Sequence, residues 1–126
     1  VAISASNSVS LISNSGSLSI NRNISLTGST SNLLLKAAGN IDVLASRAVT
    51  TNGGSITFHS DSDASGAGYI QLASAASLTS NGGNITLGGG TTVASGYAVG
   101  AGSVTGGITV YQATISAGVS QRPQGM

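Results

Sequence analysis

The chain carries I-D-V-L-A-S-R-A-V-T-T-N-G-G-S-I-T-F (Ile41–Phe58) and, 29 residues later, I-Q-L-A-S-A-A-S-L-T-S-N-G-G-N-I-T-L (Ile70–Leu87). Without a gap, Ile41 falls on Ile70, Val43 on Leu72 and Val49 on Leu78. The turn tripeptide Asn52-Gly53-Gly54 falls on Asn81-Gly82-Gly83, and Ile56, Thr57 and Phe58 fall on Ile85, Thr86 and Leu87. Apolar positions, a turn and a short alternating strand all keep step. A repeat of this length marks a unit that buries its apolar face by stacking on its own copy.

Outward from this pair, period-two alternation predicts strands over Ser8–Ser13, Ser17–Ile20, Asn23–Thr27, Asn32–Ala37 and Asn40–Ala45, with a weak one over Ala2–Ala5. Within the repeats it predicts Ala48–Thr51, Ser55–Phe58 and Tyr69–Leu72, then Ser77–Ser80 and Asn84–Leu87. The pattern loosens after Gly90 and returns over Gly107–Ser116 as one further stretch. Gly, Asn and Ser punctuate every strand, as tight corners require. No window has helical spacing of apolar residues.

Three strands per 29-residue unit fit one coil of a three-sided parallel β-helix, with Asp61–Gly68 as a bulging loop. Shorter offsets agree, since Leu18 to Ile41 and Leu35 to Phe58 are both 23 positions. Coils of about 20 residues with loop insertions predict about five coils. The expected inward set is Val9, Leu11, Leu18, Ile20, Ile24, Leu26, Leu33, Leu35, Ile41, Val43, Val49, Ile56, Phe58, Ile70, Leu72, Leu78, Ile85, Leu87, Ile108 and Val110. An antiparallel sandwich also uses short strands and turns, but it supplies no reason for a gapless copy. Residues 1–120 read as one solenoid segment, a fragment of a longer rod, and 121–126, with Pro123, as a flexible tail. The first residue, Val1, suggests a piece excised from a longer chain.

Composition narrows the function classes. Of 126 residues only 6% are charged, with four basic and three acidic side chains. That is far too sparse for tracking phosphates or for an electrostatic membrane patch, so nucleic acid is not expected. No apolar run approaches the length that spans a bilayer, so membrane insertion is not expected either. With one Phe, three Tyr and no Trp, the core must be built from aliphatic side chains. Cysteine is absent, so no disulfide contributes.

His59, Asp61 and Asp63 (H-S-D-S-D) are the one dense group of potential ligands. On an extended chain their alternation would place all three on one face. They also sit where a strand runs into an Asp/Ser/Gly loop, and Asp is ordinary turn chemistry there. Calcium wants about six oxygens or more, and Asp42 is the only other carboxylate. Without any Glu, the facing acids of a glycosidase are lacking. One His and no G-x-S-x-G leave no triad signature. The reading is a non-enzyme with no catalytic, metal or cofactor-binding residues and no cofactor. Thr57, Thr86 and Thr109 point outward, and the first two would begin a hydroxyl ladder if they stack.

The phrases G-N-I-D-V-L-A (Gly39–Ala45), T-N-G-G-S-I-T-F (Thr51–Phe58) and T-S-N-G-G-N-I-T-L-G-G-G (Thr79–Gly90) resemble the repeat region of filamentous-haemagglutinin-like adhesins of two-partner secretion and of related autotransporter passengers. The resemblance spans roughly residues 8–90, and more faintly 104–116, and implies a right-handed parallel β-helix, export and a place at the bacterial cell surface, commonly in adhesion. The family's N-P-N secretion motif is not present, so export is expected of the parent chain. A separate phrase, Ala98–Val104, is similar to the head repeats of trimeric autotransporter adhesins. The resemblance implies a structural, adhesive rod segment. Its partners would be neighbouring coils of the parent chain or end-to-end copies in a fibre, and a receptor on a host cell or surface. A ligand- or ice-binding solenoid is the alternative, and a polysaccharide-processing enzyme ranks last.

Overall fold

A computed structural model describes residues 2–100 and 106–118. The segment expected to form a tail, 121–126, lies outside the described residues, as does most of the Ala98–Val104 phrase. Thirteen strands and no helix are present among the described residues, arranged as three sheets. Sheet A stacks β1 (Ile3–Ala5), β4 (Ile24–Ser29), β7 (Ala48–Asn52), β10 (Ser77–Thr79) and β13 (Thr114–Ser116). Sheet B stacks β2 (Val9–Ser13), β5 (Leu33–Ala37), β8 (Ile56–Ser60) and β11 (Ile85–Gly89). Sheet C stacks β3 (Leu18–Ile20), β6 (Ile41–Val43), β9 (Ile70–Leu72) and β12 (Ile108–Val110).

Every neighbouring pair of strands is parallel, which removes the sandwich and leaves a three-sheeted β-solenoid. The 29-residue register is the one observed: Ile41 pairs with Ile70, Val49 with Leu78, and Ile56 with Ile85. The 23-residue register is observed too, Leu18 with Ile41 and Leu35 with Phe58. The expected count of about five coils is slightly high. Sheets B and C hold four strands each, and β13 only opens a further turn. The stretch Gly107–Ser116 is not one strand: it bends after Val110, so β12 and β13 belong to different sheets.

Stacking turns the alternation into columns. Leu33, Ile56 and Ile85 form one inward column, and Leu35, Phe58 and Leu87 another. Phe58, the single Phe, is fully buried between its aliphatic neighbours. Truncating such a side chain typically costs about 3–5 kcal/mol, because the column cannot collapse around the void. Ile108 and Val110, expected inside, are 43% and 44% exposed, because among the described residues no strand lies over β12 to cover them.

Polar residues at strand entries continue the ladder beyond the strands. Ser8 Oγ accepts the Asn32 N–H (2.9 Å), and Asn32 Oδ1 in turn accepts the Ser55 N–H (2.8 Å). Ser17 and Asn40 repeat this beside sheet C, accepting from Asn40 and Tyr69. Each side chain satisfies a backbone donor that lies between two strands, which is why Asn and Ser recur there.

Corners after sheet A are tight. Thr51 is buried and donates to the Gly54 carbonyl (2.6 Å), and Ser80 repeats the contact with Gly83. A Cβ on Gly54 would meet Ser31 O at 1.9 Å, and one on Gly83 would meet Gly54 O at 2.1 Å. These glycines are required by the approach of one coil to the next. Gly54→Ala should therefore lower stability by about 1–3 kcal/mol or more through overpacking, read as a lower denaturation midpoint. Gly16→Ala, whose Cβ would meet nothing closer than 3.7 Å, should stay near wild type.

Candidate functional site

Turn length grows along the stack, and the growth falls at one corner. From sheet B to sheet C the chain takes four residues at 14–17 and three at 38–40, then nine at 61–69 and eighteen at 90–107. Because the corners are stacked, the two long connections lie side by side. They are tied together by a two-residue bridge, in which Gly68 N–H donates to Val99 O (3.1 Å) and Val99 N–H donates to Gly68 O (3.0 Å). Between them opens a cleft of ≈ 340 Å³.

Asp61 lines this cleft, although its side chain is only 3% exposed. The strand ends at Ser60, and Asp61 turns the chain with φ 46°, a left-handed conformation that Asp tolerates better than most residues. Its Oδ1 accepts from Ser65 Oγ (3.1 Å), Gly66 N–H (3.1 Å) and Ala67 N–H (3.4 Å), so one oxygen holds the loop's shape. All three bonds fall on Oδ1, and Oδ2 has no hydrogen-bond partner among the described residues. The opposite wall holds Thr91, Thr92, Ser95 and the strongly exposed Tyr97.

His59, Asp61 and Asp63 do not converge. His59 pairs across to Lys36 and Gly88 on sheet B, and its buried ring hydrogen-bonds through Nε2 to the Gly90 carbonyl, pinning the start of the second wall. Asp63 is exposed and accepts from the Ser65 N–H (3.2 Å), an ordinary turn contact. The left-handed turn at Asp61 breaks the alternation that would have put the three on one face. No group of three or more His, Cys, Asp or Glu suited to a metal ion occurs among the described residues. The second wall has no period-two pattern; only its density of glycine and Tyr97 marks it in the sequence.

Thr57 and Thr86 do stack on the outside of sheet B. Thr109 does not join them: it lies on sheet C over Gln71. A longer hydroxyl column runs up sheet A through Ser4, Ser25, Thr50, Thr79 and Ser116, a feature hidden by the unequal turn lengths. No family model, curated protein or solved structure matches the chain.

Outside the cleft, the outer face of sheet C carries Asp42, between Ser19 and Gln71. Burial raises its pKa above the ordinary value, and the hydrogen bond from Tyr69 opposes that more weakly. Tyr69 is raised as well, by burial first and then by the charge and hydrogen bond of Asp42. A carboxyl whose pKa is raised on folding stabilises the fold while protonated and loses that contribution as pH rises through its folded pKa. Wild type should thus lose stability relative to Asp42→Asn as the pH is raised from about 3.5 to 7, measured as the difference between their urea midpoints.

Proposed function

We propose that this chain is a rod-forming, adhesive segment of a secreted bacterial surface exoprotein, its coils right-handed, displaying the corner loops to a receptor. Right-handedness follows the general rule for crossovers between parallel strands. The observation that most supports a rod is the state of the two ends. Among the described residues β1, β2 and β3 have no partner on one side, and β11, β12 and β13 have none on the other. At the second end Ile108, Val110 and Ile115 stand 42–44% exposed. At the first, an open cavity of ≈ 520 Å³ is lined by Leu11, Leu18, Ile20 and Ile24, the uncovered mouth of the core.

Unpaired strand edges with apolar rungs are templates for another coil. More of the same chain, or a second copy stacked end to end, would satisfy both. Display is supported by the confinement of insertions to one corner, so that the other two sides stay smooth while one edge carries variable loops. The phrases resembling two-partner-secretion repeats and the lack of cysteine support export.

Electron micrographs of the purified protein should show rods or end-to-end fibres, shortened by Ile108→Lys with Val110→Lys; compact particles throughout would reject the rod. Removing residues 62–67 should leave the β-type circular dichroism unchanged and lower attachment to cells at least about tenfold, as losing a hot spot would. Attachment that survives the deletion would reject that loop as the display site.

A second reading, an ordered-water or ice-binding face, is favoured by the five-membered hydroxyl column of sheet A. It requires thermal hysteresis that Thr50→Lys and Thr79→Lys abolish. A solution that freezes without hysteresis removes it.

A further inference from the structure

We propose that the corner cleft binds a neutral sugar unit, with Asp61 Oδ2 accepting a sugar hydroxyl and the Tyr97 ring covering an apolar face of the pyranose. The inference rests on the display reading above and supplies its ligand class. Four observations carry it.

The first is the state of Asp61. A carboxylate this buried is ordinarily satisfied on both oxygens. Here, among the described residues, three donors converge on Oδ1 and none on Oδ2, which is not sealed from solvent but stays accessible on a residue that lines an open cleft. A ligand hydroxyl would supply the missing donor. Since Oδ1 also fixes the loop, the acceptor is held rigidly by the same side chain, which limits the ordering cost of binding.

The second is the composition of the facing wall. Thr91, Thr92 and Ser95 each offer a hydroxyl that donates and accepts, the complement of a ligand carrying several hydroxyls. No basic side chain lines the cleft among the described residues, so an anionic ligand would meet Asp61 uncompensated. A purely apolar ligand would bury the Oδ2 acceptor without a partner, at a cost of about 1–3 kcal/mol.

Tyr97 is the third. An aromatic ring 77% exposed at the mouth of a polar cleft offers a flat apolar surface beside hydroxyl partners. Sugars pair a polar rim with an apolar ring face, and the combination fits them. The fourth is size. At ≈ 340 Å³ the cleft lies at the small end of the roughly 300–1,000 Å³ typical of ligand pockets. That volume suits one or two sugar rings and is far larger than an ammonium group needs.

The test is an NMR titration of the whole chain with methyl α-glucoside, methyl α-mannoside, methyl β-galactoside and N-acetylglucosamine, with methylammonium chloride as a parallel arm. At least one sugar should cause saturable shifts at the Gly66 and Ala67 amides and in residues 90–97. Asp61→Asn keeps the Oδ1 acceptor and tolerates the left-handed turn, yet replaces Oδ2 by a donor. It should weaken that sugar about tenfold, as losing one charge-assisted hydrogen bond would, with an unchanged thermal midpoint. Tyr97→Ala, at an exposed position, should weaken it by a similar factor. No saturable shift from any of the four sugars overturns the proposal. So does methylammonium shifting these amides when the sugars do not, or Asp61→Asn binding as wild type. If cells still attach through the 62–67 loop while all four sugars fail, display stands and the sugar ligand falls.

Discussion

Each coil of this solenoid can bury its aliphatic side chains only against the coil above and below, so the spacing of one strand from the next governs everything else. That spacing is about 4.7–4.9 Å in any sheet. Within it Leu35, Phe58 and Leu87 must sit directly over one another, and the column has room for little besides aliphatic groups and one ring. The same spacing forces the corners together. Gly54 and Gly83 face backbone oxygens at distances that no Cβ could occupy, and Thr51 and Ser80 satisfy the carbonyls that the tight turn leaves inside. Core composition, glycine placement and buried hydroxyls are consequences of one packing distance.

Extra residues can leave such a stack only where they do not disturb the columns. Here they leave at the corner between sheets B and C, where the connection grows from three or four residues to nine and then eighteen. Two insertions at one corner of neighbouring coils must touch, and the Gly68–Val99 bridge seals them into a pair. The cleft is a product of stacking, not of either loop alone. Asp61 stands at the point where the strand is abandoned, and its left-handed turn aims the carboxylate into the loop that it organises. His59, one position from the end of the same strand, holds the other wall through the Gly90 carbonyl.

Charge plays little part in this structure. With so few ionisable groups, the outer faces are built of Ser, Thr, Asn and Gln, and the Asn and Ser at strand entries serve as rungs of the backbone ladder. With few ion pairs to screen or titrate, the packing of such a surface depends little on salt. Asp42 on sheet C is an exception, a carboxyl half removed from water beside Tyr69. The corner cleft collects what such a composition offers: hydroxyl side chains, an aromatic ring and a buried acid.

The period-two alternation and the gapless 29-residue copy were enough to determine strands, their parallel stacking and which side chains form the columns. Both are local signals: a side chain's face follows from its parity, and a repeat with no gap has one register. Tertiary structure alone decided the rest. Ile108 and Val110 read as core by parity, but burial depends on a covering coil, and among the described residues none lies over them. His59, Asp61 and Asp63 read as one face, but a single left-handed residue reverses the chain and scatters them. The hydroxyl column of sheet A spans turns of 21, 25, 29 and 37 residues, differences that hide it from any fixed period. The cleft joins residues about thirty positions apart through loops without periodicity, so it exists only once the coils are stacked.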